Sequence, residues 1–421
     1  MRFVKRKIFD DVIKWLEDKR IIIIKGARRT GKTTLINQIK DYLQEHGKKA
    51  VLFSADQELD SAFFKNSRLF WKFLSDQYLQ GEERLYCLID ECQYLPGAPL
   101  FLKTLHDMAS DKLKLVVTGS SSLDLLKTKE PLTGRKIDFT LERFSFSEYL
   151  DFSSQCAYQE QFSIPGDMGP LQEFHELYGR DLEYHFVQYI NWGGYPEVCM
   201  EKEIERKKSY LKEIIQSYVE KDVSQFFRIW DVSKFNALAR LLCHQRSRLL
   251  NRSEVSNTLG VHSRTLENYL NILEGTFIIT LLRPFYRNIR KELSKMPKVF
   301  VNDAGIIRYY TGTVFSDFNL VDGSLAENFV FGQLSTKRDL ELFYYRTISK
   351  SEIDFIIRKG TRLIPVEVKF KKKMSIPVAM KNFFSNYSQE AEYGVVVTKD
   401  LIGRTRDVYF LPVVLLDFVI F

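Results

Sequence analysis

Apolar residues along this chain recur in two periods, and the changes between them divide it into segments. Arg20-Ile21-Ile22-Ile23-Ile24 is a β-branched run that reads as a strand buried on both faces. From Thr34 to Leu43 the apolar positions are 35, 36, 39 and 43, the spacing of one helix face. The alternation continues with strands expected at 49–54, 85–89, 113–118 and 136–141, a helix at 67–80, and a short amphipathic helix at 10–19. Strands alternating with helices predict a parallel, doubly wound sheet that binds its ligand at the strand C-termini.

The segment between the first strand and its helix carries chemistry. Gly26-Ala27-Arg28-Arg29-Thr30-Gly31-Lys32-Thr33 fits the pattern G-x-x-x-x-G-K-[ST] in the strand–loop–helix context the motif requires. Glycines let the backbone wrap phosphates, and N–H groups at the helix N-terminus offer them partial positive charge. Residues 26–33 and Thr34 are therefore expected around ATP, with Lys32 at the β and γ phosphates and Thr33 on Mg²⁺. Leu85-Tyr86-Cys87-Leu88-Ile89-Asp90-Glu91 supplies the second half of such a site. Asp90 is expected to hold Mg²⁺, and Glu91 to polarise the attacking water as general base. After the 113–118 strand comes Gly119-Ser120-Ser121-Ser122, where Ser120 is either a sensor of the γ-phosphate or part of a Ser-rich turn.

Gly134-Arg135 precedes the 136–141 strand, and Ser145-Phe146-Ser147-Glu148-Tyr149 follows it. With the arginine-bearing P-loop and the Asp-Glu strand, these make the chain resemble prokaryotic AAA+ ATPases that carry a C-terminal domain of unknown function. Glu142-Arg143-Phe144 departs from that pattern, in which a proline is usual before the Ser-Phe, so the local turn is in question. The resemblance implies that Arg135 is an arginine finger or sensor, acting in its own subunit or on a neighbour in a homo-oligomer; a surface salt bridge is the other reading. It also matches Asn191-Trp192-Gly193-Gly194-Tyr195-Pro196-Glu197 to a segment expected in a helical lid over the nucleotide.

Residues 251–270 read as a helix-turn-helix, with Ser253 expected to cap the first helix, Gly260 in the turn and Ser263 capping the second. Strand-like runs at 276–282 and 298–301 follow, and residues 283–298 carry six basic residues against one acid, as in the wing of a winged helix. Arg264, Arg283, Arg287, Arg290 and Lys291 are the candidate contacts to a DNA backbone; a protein-binding module with a solvated basic face is the alternative.

Near the C-terminus, 351–358 and 363–370 read as a hairpin turning at Lys359-Gly360, after a helix carrying Glu327 and a strand at 342–345. Asp354 and Glu367 become cross-strand neighbours, and Glu367 and Lys369 share a face. This Asp…Glu-x-Lys set looks like a PD-(D/E)xK nuclease core. Asp354, Glu367 and Glu327 would offer hard oxygens to Mg²⁺ or Mn²⁺, and Lys369 would orient water or stabilise charge. Runs at 395–398 and 413–416 are expected to close the sheet.

Composition adds bounds. The chain has 421 residues, enough for two to four domains at ~150 each. Its net charge of +8 suits an acidic partner such as DNA. Five cysteines without a C-x-x-C pair suggest reduced thiols in a cytoplasmic protein, with neither zinc site nor disulfide framework. No run approaches a signal sequence or the ~20 apolar residues of a membrane span. The expected fold class is a multidomain α/β protein. It comprises an AAA+ P-loop core of parallel sheet (1–160), a helical lid and connector (161–235), a winged helix-turn-helix (236–312) and a restriction-endonuclease-like α/β domain (313–421). Two functions follow as expectations. One is an ATP-hydrolysing protein whose nucleotide state gates DNA engagement or cleavage. The other is an ATP-dependent switch or scaffold whose nuclease-like domain is inactive and binds DNA or a protein.

Overall fold

The structure, a computed structural model, describes residues 5–57, 61–79, 84–95, 97–119, 132–154, 158, 160–218, 231–288, 290, 292, 295–347, 351–370 and 373–421. Ser120 and Lys291 lie outside the described residues. The chain divides into two compact units, Met1–Arg143 with Gly275–Phe277, and Phe144–Glu274 with Ile278–Phe421.

In unit 1, strands β1 (Ile21–Lys25), β2 (Lys49–Ser54), β3 (Leu85–Asp90), β4 (Leu113–Gly119) and β5 (Lys136–Thr140) form one sheet. Its order is β2-β3-β4-β1-β5 and every neighbouring pair is parallel. Helices α1 (Lys7–Ile13), α2 (Lys32–Glu45), α3 (Ser67–Tyr78) and α4 (Ala98–Ala109) accompany it. The isoleucine run of β1 serves both faces, because successive side chains of a strand point opposite ways. Ile22 and Ile24 pack with Leu35, Ile36 and Ile39 of α2, while Ile21 and Ile23 pack with Phe53, Phe70 and Leu102. Each such burial contributes about 1.5–3 kcal/mol.

One interior residue of β4 is a lysine. Lys114 is fully buried. Its Nζ donates to the carbonyls of Trp15 (2.7 Å), Asp18 (2.7 Å) and Arg20 (2.6 Å), so an ammonium in the interior keeps hydrogen-bond partners.

Unit 2 opens with α5 (Phe146–Ser153). Ser145 caps it, with Glu148 bonding back to the Ser145 N–H in a capping box. The N–H of Phe146 donates to Gln333 (2.9 Å) and that of Ser147 to Asp417 (2.8 Å), so this helix start is fixed by the C-terminal part of the chain. A short strand β6 (Phe162–Ser163), then α6 (Gly169–Trp192), α7 (Pro196–Met200), α8 (Ile204–Ser217), α9 (Val232–His244), α10 (Arg252–Leu259) and α11 (Ser263–Gly275) follow. Next come the antiparallel hairpin β7 (Ile279–Leu282) and β8 (Lys298–Val301), then α12 (Ala304–Thr311) and α13 (Gly323–Ser335). The cap of α10 is Asn251, whose carboxamide accepts from the Glu254 N–H at 3.3 Å; Ser253 lies already inside the helix.

The last sheet comprises β9 (Glu341–Arg346), β10 (Glu352–Lys359), β11 (Arg362–Val368), β12 (Gly394–Thr398), β13 (Gly403–Thr405) and β14 (Val408–Pro412), in the order β13-β14-β12-β11-β10-β9. Helix α14 (Val378–Asn386) lies between β11 and β12 in sequence. Residues 413–416, expected as a closing strand, lie in the 3₁₀ helix Val413–Phe418; β13, paired with β14, forms that edge of the sheet, and β15 (Val419–Ile420) pairs with β6.

The Gly193-Gly194 pair admits Asp303. A Cβ on Gly193 would fall 2.1 Å from the Asp303 carboxylate, and the Gly194 N–H donates to that carboxylate at 2.8 Å. Asp303 also caps α12 through the Gly305 N–H at 2.8 Å. The motif expected in a nucleotide lid thus has a packing role inside unit 2.

Candidate functional site

The first site grows from the end of β1. The chain leaves Lys25, turns through 26–31, and enters α2 at Lys32. Gly26 admits no side chain, since a Cβ would sit 2.3 Å from the Leu141 carbonyl oxygen. Arg29 and Gly31 take left-handed conformations (φ 60° and 95°), which curl the loop. The Thr30 hydroxyl donates to the Ala27 carbonyl at 2.9 Å. Lys32 is buried, its ammonium donating to the carbonyls of Gly26 (3.2 Å) and Ala27 (2.9 Å). The loop thus closes around its own lysine at the N-terminus of a 14-residue helix, where phosphate oxygens would replace the carbonyls. Arg28 and Arg29 are half-buried in the loop, and Thr34 is exposed in the first turn of α2.

A residue outside the motif braces the loop. Arg6 is buried; its guanidinium donates to the carbonyls of Thr30 (2.9 Å), Glu142 (2.6 Å) and Arg143 (3.2 Å).

The acids arrive from β3. Thr33 Oγ1 donates to Asp90 Oδ2 at 2.6 Å. Thr118, from β4, donates to the other Asp90 oxygen and accepts from the Glu91 N–H at 3.0 Å. Because β4 lies between β1 and β3, Thr118 stands between the loop and the acids. Thr118 is a second hydroxyl at this strand end, one place before the end of β4, beside the Ser120 candidate that lies outside the described residues. Glu91 is left-handed (φ 53°), and its carboxylate accepts from the Gln93 side-chain amide. Thr33 and Asp90 fit a Mg²⁺ ion: two hard oxygens already in contact, next to a phosphate-binding loop. The ion would neutralise phosphate charge there.

Arg135 lies elsewhere. The register sets Ile21 beside Lys136 and Lys25 beside Thr140, and the Ile21 N–H donates to the Arg135 carbonyl at 2.7 Å. Arg135 is therefore at the opposite end of β1 from the P-loop, four residues or about 13 Å along the strand. Its Nε donates to Asp107 at 2.6 Å. This corrects the expectation of a finger acting in its own subunit.

The second site, within unit 2, is a carboxylate cluster. The hairpin register pairs Phe355 with Val366, which brings Asp354 and Glu367 side by side. The Asp354 N–H donates to Glu367 Oε2 at 3.2 Å, and the Val368 N–H to Asp354 Oδ2 at 2.9 Å. Lys369 bonds Glu367 through its ammonium. Glu327 joins from α13, and two residues not anticipated complete the group. Lys298, the first residue of β8, is 2% exposed; its Nζ lies 2.9 Å from Glu327, 2.6 Å from Glu352 and 3.4 Å from Asp354. Burial opposes its charge, and the three carboxylates outweigh burial, holding its pKa above the usual lysine range. Burial, then the charge of Asp354, raises Glu327 to about 8 and Glu367 to about 7.

This donor set does not fit a divalent metal as it stands. An ammonium already occupies the space among Glu327, Glu352 and Asp354, and a second cation there would meet a like charge. Among the described residues no group of three or more acidic, histidine or cysteine side chains is arranged to hold a metal ion. The expected metal ligation by Glu327, Asp354 and Glu367 is corrected accordingly. Lys298 belongs to the basic run read as a wing, and the structure instead places it at the head of an entirely buried strand.

The remaining basic candidates separate. Arg264 is exposed as the second residue of α11, and Arg283 and Arg290 are exposed after β7. Arg287 pairs with Glu390 and lies 5.1 Å from the Tyr387 ring centre. Residues 283–285 run along β9: the Phe285 N–H donates to the Tyr344 carbonyl at 2.6 Å, and the Tyr344 N–H to that of Arg283 at 3.0 Å. Phe285 is buried with Phe343, Ile353 and Phe383. The start of the expected wing is thus part of the C-terminal sheet's packing.

Residues 18–150 match the family model described as AAA domain. They form an AAA-type P-loop ATPase domain. Residues 183–316 match a domain of unknown function, DUF8612, and 322–416 another, DUF4143. An uncharacterized protein of Haemophilus influenzae is 25% identical over 87% of this chain and 86% of its own length. One of Methanocaldococcus jannaschii is 27% identical over 93% of this chain and 84% of its own. Among solved structures, replication initiator DnaA bound to AMPPCP and single-stranded DNA aligns with 65% of this chain and 90% of its own, at 14% identity and a TM-score of 0.33. No helix among the described residues is long and apolar enough to cross a membrane.

Proposed function

We propose that this chain is an ATP-hydrolysing switch that engages DNA through the basic residues of α11 and the segment after β7, and that its C-terminal module binds rather than cuts. The observation that carries the hydrolytic half is the continuous set of bonds Thr33–Asp90–Thr118–Glu91, which joins the phosphate loop to a carboxylate held in place by Gln93. Lys32 and the α2 N-terminus bind phosphate, Thr33 and Asp90 hold Mg²⁺, and Glu91 polarises water. The non-cutting half rests on Lys298 among the carboxylates. Exposed Arg264, Arg283 and Arg290 support the DNA contact. An Arg135 role towards a neighbouring copy is part of this proposal only in a homo-oligomer.

Steady-state ATP turnover tests it. Glu91→Gln should lower kcat by about 10²–10⁴, the range for losing a general base, while nucleotide binding persists. Turnover unchanged in Glu91→Gln would remove Glu91 from this role.

A second reading keeps the C-terminal module as a nuclease, favoured by one observation: the hairpin does bring Asp354, Glu367 and Lys369 together. It requires cleavage of supercoiled, linear or single-stranded DNA with Mg²⁺ or Mn²⁺, lost in Asp354→Ala or Lys369→Ala while ATP turnover persists. Cleavage with that dependence would replace the binding role.

A further inference from the structure

The nucleotide site reaches further back in the chain than its motif. Arg6 lies outside residues 26–33 and outside the matched AAA domain. It is the N-cap residue of α1, and α1 packs on the helix whose start binds phosphate. Val12 of α1 is buried with Leu35, Ile36 and Ile39 of α2, and the Phe9 ring meets the Tyr42 ring edge-on at 5.8 Å. This packing sets the Arg6 guanidinium beside the P-loop. One arm donates to the Thr30 carbonyl at 2.9 Å, the other to the carbonyls of Glu142 (2.6 Å) and Arg143 (3.2 Å). The segment 141–143 is in turn tied to the end of β1: the Leu141 N–H donates to the Lys25 carbonyl at 2.6 Å, and Gly26 lies against the Leu141 carbonyl.

We infer that Arg6 is a positioning residue of the nucleotide site: it holds the Thr30–Gly31 peptide in the orientation that presents the Gly31 N–H to a phosphate. The peptide is trans, so its N–H points opposite to its carbonyl. Tying the Thr30 carbonyl to Arg6 therefore turns the Gly31 N–H away from the guanidinium. Gly31 itself does little to fix that plane, because it has no Cβ and sits at φ 95°, where glycine rotates at small cost. The bonds inside the loop hold other groups: the Thr30 hydroxyl goes to the Ala27 carbonyl, and the Lys32 ammonium to the carbonyls of Gly26 and Ala27. A Thr30–Gly31 peptide without Arg6 would face a phosphate for only part of the time, and apparent affinity falls by the fraction of time spent competent. The guanidinium also adds positive charge behind a loop that already offers anions the N-terminus of α2. Residues 26–33 must bind phosphate for this role to exist, and Arg6 then completes their geometry.

The test is ATP turnover by the full chain, with KM and kcat separated and the nucleotide-free melting temperature measured alongside. Lys32→Ala is the control on the loop itself and should abolish turnover. Arg6→Met keeps an unbranched side chain and removes its donors. It should raise KM for ATP about tenfold or more, the weight of one hydrogen bond to a charged group. Its kcat should stay near the parent value, because the Gly31 N–H serves ground state and transition state alike. ADP affinity, from competition with ATP, should fall by the same factor. Arg6→Lys should recover most of the KM, since one ammonium can bond several carbonyls, as that of Lys114 does. A brace of the fold alone would lower melting temperature and kcat and leave KM in place; that pattern in Arg6→Met would overturn the role. Should Arg6→Met not fold, Arg6→Gln retains an amide donor, and a KM equal to the parent's in that variant would overturn it equally. Turnover that survives in Lys32→Ala fails the phosphate-loop reading itself, whereas turnover lost in Lys32→Ala with KM unchanged in Arg6→Met fails the Arg6 role alone.

Discussion

Two buried lysines show how the same residue type is stabilised in different surroundings. Lys298 is held by carboxylates, and Lys114 by three main-chain carbonyls. Neither role was legible in the sequence, where one lysine sits in an apolar strand and the other in a basic run; a side chain's partners come from elements far away in the chain. Thr118 and Arg6 were missed for the same reason. The P-loop, Asp90 and Glu91 were legible because their partners lie within a short local motif and at a strand end. Lys114 yields a pH prediction. Burial, with nearby Arg84, pushes its pKa down to about 7 from 10.5. Between those values the unfolded chain holds a proton that the folded chain has released, so this residue's contribution to stability rises with pH across the window. Lys114→Met should be destabilised, each carbonyl left without its donor costing about 1–3 kcal/mol. Its deficit against the parent, from urea midpoints, should widen between about pH 7 and pH 9.5. A deficit that stays constant or shrinks would contradict this.

At the scale of elements, period and turn chemistry carried furthest. The β10–β11 hairpin was readable from two alternating runs and a Lys359-Gly360 turn, and Gly360 does take a left-handed φ of 61°. The cap of α10 moved two residues because Asn251 and Ser253 are both capping types, and only geometry chooses between them. Residues 413–418 are buried throughout, so their apolar run could not separate strand from turn of helix. The basic segment after β7 was half legible: its charge is real, and Phe285 commits its start to the C-terminal sheet. This separates the arginines experimentally. Arg264→Ala, Arg283→Ala and Arg290→Ala should each weaken duplex DNA binding and lower the slope of log affinity against log salt by about 1, the signature of one lost phosphate contact. Arg287→Ala, already paired with Glu390, should leave that slope unchanged. Fluorescence anisotropy across a salt series reads both, and a larger loss in Arg287→Ala than in Arg264→Ala would refute the assignment.

At the scale of the whole molecule, unit 1 takes in a short stretch of chain that lies far along the sequence from the rest of it. Gly275, the last residue of α11, belongs with Thr276 and Phe277 to unit 1, although the rest of α11 and β7 belong to unit 2. Within unit 1, Arg6 joins the Thr30 carbonyl of the P-loop to the Arg143 carbonyl, and the Arg143 guanidinium donates to the Phe277 carbonyl. Arg143 lies in the Glu142-Arg143-Phe144 stretch that departs from the resembled pattern, and its side chain makes a bond that a proline there has no side chain to make. Phe277 is left-handed (φ 62°), an unusual state for a bulky residue that persists only where its surroundings hold it. A P-loop that shifts on binding ATP would therefore act, through Arg6 and Arg143, on Phe277, two residues before β7. The prediction is a coupling energy, and coupling is reciprocal: if ATP changes DNA affinity by some factor, DNA changes ATP affinity by the same factor. In Glu91→Gln, which binds ATP without consuming it, DNA affinity should differ between ATP and ADP by about 5–150-fold, the usual span of such couplings. Arg143→Ala in that background should bring the ratio towards one while DNA affinity in ADP stays near the parent value. An unchanged ratio would mean that the Arg143–Phe277 bond is structural, and that any coupling travels by another path.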